Sequence, residues 1–191
     1  MQHITQSLNA KLVRTAPSAS RSCVSLRHFS SSKSKSSINL DGFVGDIGGD
    51  LQVKGPVVGV HAHCSHSFSQ KDVDVFAKIC GDTNPLHTDP TFAAGSMFKG
   101  TIVHGILVSS LFSTLFGASL HGSIYVSQSL NFKRPVHVGS EVQARMEVLK
   151  KERKRSGYML TCSTQVLLKN GSIAVSGEAV YVMRIDMSIF R

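Results

Sequence analysis

Asp82 and His87 stand five residues apart in the stretch between Phe76 and Pro90. On a continuous helix residues at that separation diverge, because neighbours on one face are three or four apart. Gly81, Asn84 and Pro85 keep the segment from being helical: proline fixes its own φ and pushes the residue before it out of the α region. A tight turn can therefore aim the carboxylate and the imidazole at one point. Such a pair can share a water and exchange protons near neutral pH. The bland alternative is a surface turn whose aspartate caps the residues after it.

The elements on either side must position the pair. Ser69 and Asp72 approximate a capping box, and Val73, Phe76, Ala77 and Ile79 or Cys80 form a core-facing stripe, so a helix is expected from Ser69 until Gly81 ends it. Asp82 then lies just past a helix C-terminus, where the dipole disfavours negative charge. Pro90 to Phe98 reads as a short helical turn. The most apolar element follows, Thr101 to Phe116, where Ile102, Val103, Ile106, Leu107, Val108, Leu111, Phe112, Leu115 and Phe116 point nearly all round a helix. Such a helix must be wrapped. Its small residues Gly105, Ser109 and Ser113 recur every fourth position, a face for close packing or for a channel.

The wrapping comes from strands on either side. Val57 to Phe68 is β-like, and alternation puts His61 and His63 on one face and Cys64 and His66 on the other, which disfavours one zinc ion collecting them. After the helix, Ser123–Lys133, Glu141–Leu149, Tyr158–Leu168 and Ser172–Met183 follow at hairpin spacing, with Arg134-Pro135 as a break. Asn170-Gly171 suits a hairpin turn with positive φ at both central positions. One buried helix followed by antiparallel strands long enough to curl around it is an α+β arrangement.

Composition bounds the function. The 191 residues hold one domain with extensions, and no run of about 18 apolar residues marks a membrane span. The formal charge is +9, but Lys11, Arg14, Arg21, Arg27, Lys33 and Lys35 all precede the first acidic residue, Asp41; without those six it is +3. That leaves a mildly basic domain rather than a duplex binder. Residues 1–37 contain no acidic residue, many serines, and Ile4, Leu8 and Leu12 at helical spacing, the pattern of a mitochondrial transit peptide, with a plastid leader as the alternative. Arg27-His28-Phe29-Ser30-Ser31 suggests cleavage after Phe29. Residues 38–54 read as a glycine-rich linker and 55–191 as the domain. Cys23, Cys64, Cys80 and Cys162 lack metal spacing and suit free thiols. Lys150, Lys151, Arg153, Lys154 and Arg155, interrupted by Glu152, read as a hairpin tip between strands, with a docking patch for an acidic partner or phosphates as the alternative.

Two blocks, Gly81-Asp82-Thr83-Asn84-Pro85-Leu86-His87-Thr88-Asp89-Pro90 and Ile102-Val103-His104-Gly105-Ile106-Leu107, followed by Ser123-Ile124-Tyr125-Val126, resemble the MaoC-like, R-specific enoyl hydratase/dehydratase family. The resemblance runs from about Lys54 to Met183. It implies a hot-dog fold, in which a curved antiparallel sheet wraps a long central helix, and a homodimer. It also implies reversible dehydration of (3R)-hydroxyacyl thioesters to trans-2-enoyl thioesters, with no metal and no organic cofactor. Together with the leader it points to substrates on acyl carrier protein in mitochondrial fatty-acid synthesis. The alternative carrier is coenzyme A; a thioesterase or a non-catalytic acyl-binding subunit is the alternative function. By resemblance Asp82 and His87 are the catalytic dyad, Gly105 offers its backbone N–H to the thioester carbonyl, and Asn84 supports the loop. Ser113 matches a position near the site, although it lies about 12 Å from Gly105 along a helix rising ~1.5 Å per residue. His104 flanks the donor and reads as space-filling.

Overall fold

The computed structural model describes residues 47–184; the expected transit peptide and its cleavage point lie outside them. Seven antiparallel strands form one sheet: β1 (Ile47–Gly49), β2 (His61–Ser67), β3 (Ile124–Gln128), β4 (Asn131–Phe132), β5 (Glu141–Lys154), β6 (Gly157–Leu168) and β7 (Ile173–Arg184). Their order is β1-β2-β5-β6-β7-β3, with β4 also on β7. Register shifts in β3 at Tyr125/Ser127, in β5 at Val148/Lys150 and in β6 at Val166/Leu167 add the local twist that lets long strands curve.

The sheet curves around a 15-residue helix, α5 (Gly105–Ser119). Val108, Leu111, Phe112, Leu115 and Phe116 of α5 share one buried cluster with inward residues of the strands: Ala62 and Cys64, alternate residues from Val142 to Val148, Leu160, Cys162 and Val166, and Ala179 with Tyr181. This is the hot-dog arrangement. Burial also pushes the thiols of Cys64 and Cys162 up to about 12. Among the described residues no helix is long and apolar enough to cross a membrane.

Local structure follows the sequence with several corrections. α1 (Leu51–Lys54) and β1 occupy the end of the expected linker: β1 pairs with Cys64, His63 and Ala62 of β2, and Leu51 is fully buried. α2 spans Gln70–Cys80 with the full capping box of Ser69 and Asp72, and Gly81 caps it at φ 80°. Only Val73 and Ala77 of its stripe are buried; Ile79 and Cys80 are exposed. The central helix starts at Gly105 rather than Thr101, because Val103 N–H donates to the Val136 carbonyl and Ile102 bridges to His137. In the last hairpin Gly171 alone has positive φ; Gly171 N–H donates to the Leu168 carbonyl, closing a turn wider than a two-residue one.

The basic run is mostly strand. β5 continues to Lys154, leaving only Arg155 and Ser156 to turn the chain. Lys150 and Lys154 flank Glu152 at 3.0 and 3.8 Å, while Lys151 and Arg153 lie over the Tyr158 ring.

Candidate active site

Asp82 follows the left-handed Gly81 that terminates α2. Its Oδ1 accepts the Asn84 N–H at 3.2 Å, an Asx turn that folds the chain back. Asn84 then caps a further helical turn, α3 (Pro85–Thr88), its Oδ1 accepting the Leu86 N–H at 3.0 Å. The expected non-helical segment is thus interrupted by one turn of helix. Proline is at home there, since its missing N–H would be unpaired at N1 in any case. His87 lies on that turn, and Asp89 caps the next helix, α4 (Pro90–Gly95), by accepting from Thr91 and Phe92 N–H.

The loop is sewn to the entry of α5. Ile102 N–H donates to the Leu86 carbonyl at 3.1 Å, and His87 Nδ1–H donates to the Ile102 carbonyl at 2.7 Å. The second bond fixes the tautomer of His87 and leaves its Nε2 lone pair for chemistry. Gln70, at the start of α2, braces both sides: its Nε2 donates to the His87 carbonyl at 2.8 Å, and its Oε1 accepts from Thr101 Oγ1 at 2.9 Å. No sequence pattern announces Gln70, because its partners lie 17 and 31 residues away.

Gly105 is the first residue of α5. Its N–H has no acceptor within the helix and sits at the positive end of the dipole. A Cβ there would come within 2.6 Å of the Phe132 ring, so glycine permits this close approach without displacing the ring. His87 and Gly105 both line one cavity of about 360 Å³, together with Ile106, Phe132 and Val175. Lys133 and Arg134 line it too, supplying positive charge.

His104 sits among these groups. It is buried, its Nε2 lies 3.0 Å from the Asp82 backbone carbonyl and 3.8 Å from Asp82 Oδ2, and its ring stacks on His87 at 3.9 Å between centroids. The space-filling expectation for it is corrected: the ring is a hydrogen-bonding member of the site. Asp82, His87 and His104 each bring a potential ligand atom within 4.8 Å of one another. Stacked imidazoles hold their lone pairs in nearly parallel planes, however, whereas tetrahedral zinc needs convergent ones. The 4.8 Å limit does suit a water between Asp82 and His87, since two hydrogen bonds of about 2.8 Å can span it.

Ser113 does not join the group. It is exposed, two turns along α5, and outside the cavity lining. Ser109 is buried and donates to the Gly105 carbonyl at 2.8 Å, a packing role. The basic hairpin is also remote. Gly157 pairs with Arg184, nine residues along β7 from the cavity-lining Val175, about 30 Å at 3.3 Å per residue. His61 and His63 share a partly exposed face while Cys64 points into the core, as alternation required.

Comparison with known proteins agrees with this fold. The family description "MaoC like domain" matches residues 54–168. An (R)-specific enoyl-CoA hydratase of Aeromonas caviae is 46% identical over 125 residues, 64% of this chain and 92% of that protein. A mitochondrial 3-hydroxyacyl-[acyl-carrier-protein] dehydratase of Arabidopsis thaliana is 32% identical over 169 residues, covering 87% of this chain and 91% of the relative. The solved structure of the A. caviae (R)-hydratase superposes with a TM-score of 0.63 at 45% identity, covering 68% of this chain and 98% of that one. An R-hydratase structure from Pseudomonas aeruginosa gives 0.63 at 35% identity, covering 67% and 82%.

Proposed function

Because the chain belongs to the MaoC-like domain family, we propose that it is a hydro-lyase that reversibly dehydrates (3R)-hydroxyacyl thioesters to trans-2-enoyl thioesters, with Asp82 and His87 as its catalytic dyad. The observation that carries this reading is the meeting of His87 and Gly105 in the lining of one cavity, with the Asp82 carboxylate within 4.8 Å of His87. In the hydration direction Asp82 and His87 hold a water between them. As its oxygen bonds to the β-carbon, one of its protons passes to the dyad, and charge shifts onto the thioester oxygen. Gly105 N–H receives that charge at the helix N-terminus, a contribution on the order of 3 kcal/mol for such a donor. The dyad then delivers a proton to the α-carbon on the same face. Asn84 acts by holding the loop, and Ser113 has no assigned role. Proton transfer and cleavage of a C–O bond require neither a redox cofactor nor a metal.

Purified protein should hydrate crotonyl thioester without releasing free thiol. Asp82→Asn and His87→Ala should each lower kcat/KM by about 10²–10⁴, the span of general acid–base catalysis. Wild-type rates in both variants would sink the assignment, and thiol release instead of hydration would favour a thioesterase.

Acyl carrier protein is the proposed carrier, and the mitochondrion the proposed compartment. Support comes from the Arabidopsis dehydratase, a mitochondrial carrier-protein enzyme by name whose alignment spans 87% of the chain; the bacterial enoyl-CoA hydratase aligns over 64% at higher identity, 46% against 32%, which makes coenzyme A the alternative carrier. The acid-free leader in 1–37 adds to it. The remote basic hairpin lends no support; Lys133 and Arg134 at the cavity suit either anionic carrier. A higher kcat/KM on coenzyme A than on carrier protein would overturn the carrier assignment, and a fluorescent fusion to residues 1–37 tests the compartment. A homodimer is proposed from the edge strand β3, whose Ile124 and Val126 are half exposed; sedimentation at micromolar concentration checks it.

A further inference from the structure

One buried side chain touches both residues of the proposed dyad and precedes the proposed donor in the chain. His104 is 3% exposed, whereas the Asp82 side chain it contacts is 54% exposed. Its ring stacks on His87 at 3.9 Å and 29°, and Phe76 packs against it edge-on at 5.1 Å. Its backbone occupies the N-cap of α5, one residue before the Gly105 donor, and its carbonyl accepts the Val108 N–H at 3.0 Å. Apart from His104, Asp82 is held only by local bonds: Asn84 N–H to its Oδ1, and its own N–H to Cys80 Sγ at a long 3.5 Å.

We propose that His104 is a positioning residue: its Nε2–H bond to the Asp82 carbonyl and its stack on His87 hold the dyad in register with the Gly105 N–H. The proposal rests on the dehydratase reading of the same site. The physical basis is a difference in rigidity. The dyad sits on a loop with no buried residue from Gly81 to Asp89, while His104 is fixed by the core and by the helix that carries the donor. A displacement of about 1 Å in such a constellation can cost 10²-fold in rate. Buried Nδ1 has no partner, which leaves Nε2 as the nitrogen that carries the proton.

Three substitutions separate hydrogen bonding from filling. In His104→Gln the amide nitrogen reaches the Nε2 position and can donate to the Asp82 carbonyl. In His104→Asn it is too short to do so, and in His104→Phe the stacking ring remains without a donor. Phe and Asn should lower kcat about 10²-fold with KM nearly unchanged, the pattern of lost transition-state alignment. Gln should recover most of the rate. Wild-type kcat in all three, or equal losses in all three in step with Tm, would leave His104 a core filler and overturn the proposal. Imidazole nitrogen NMR on the wild-type protein decides it even if the variants do not fold: a proton on Nε2 is expected, and a proton on Nδ1 alone overturns it. Inactive Asp82→Asn beside fully active His104→Phe would remove this inference alone, whereas active Asp82→Asn would remove the dehydratase reading beneath it.

Discussion

The two halves of the site are held by different forces. From Gly81 to Asp89 no residue is buried, and the backbone is shaped by side chains that accept N–H bonds: Asp82 from Asn84, Asn84 from Leu86, Asp89 from Thr91 and Phe92. From Val103 to Leu120 most side chains are buried, and α5 begins without a side-chain cap. One half is local hydrogen bonding on the surface; the other is burial inside a curved sheet. The proposed dyad therefore sits where alteration costs the fold least, while the half that carries the proposed Gly105 donor is inseparable from the core.

Substitutions should divide the same way. The largest effect on stability is Phe112→Ala, which empties a site at the centre of the core and should cost about 3–5 kcal/mol. Its denaturant midpoint should fall while the folded fraction keeps a near-normal kcat. In contrast, Asp82→Asn should leave the stability within about 0.5 kcal/mol of wild type, as exposed changes do, while abolishing most activity. A large midpoint loss in Asp82→Asn would break the contrast. Asn84→Ala removes the α3 cap and should cost about 1 kcal/mol, read as faster hydrogen exchange at Leu86 and a lower kcat through His87. Exchange unchanged there would mean that the Ile102 and Gln70 bonds alone hold the turn.

The smallest effect is acid dependence at α2. Hydrogen bonds from Ser69, side chain first and then backbone, hold the Asp72 carboxyl below its ordinary 3.8. A depressed carboxylate contributes stability above its unfolded value that is lost as pH falls through the folded one. Wild type should therefore exceed Ser69→Ala in stability at pH 6, with the gap narrowing below pH 4. A gap that stays constant to pH 2 would mean the cap acts without the carboxylate's charge.

Legibility in the sequence followed the same division. Ser69, Asp72, Gly81, Asn84 and Pro85 each act on neighbours within a few residues, so the capping box, the helix stop and the turn toward His87 could be expected from residue type. The single helical turn at Pro85–Thr88 escaped because proline serves equally to bar a helix and to begin one. The helix start moved from Thr101 to Gly105 because the Val136 carbonyl and His137 claim residues 102 and 103 for strand-like pairing. Lys150 to Lys154 joined a strand because β6 was long enough to pair with them. Gln70 gave no signal as a member of the site, and His104 showed only as a neighbour of Gly105, since the partners of both side chains are distant in sequence.

The sequence by itself determined the chemistry available and the local shapes: an aspartate and a histidine on a turn, a helix too apolar to be exposed, strands sufficient to enclose it. It did so because capping, turn formation and periodicity are short-range. Tertiary structure alone decided that Gly105 and His87 line one cavity, that the basic hairpin lies at the far end of the sheet, and that His104 packs against Asp82 and His87 at the start of α5. These depend on how the sheet curves and on which backbone atoms it leaves unpaired, and both emerge only when strands some hundred residues apart close around the helix.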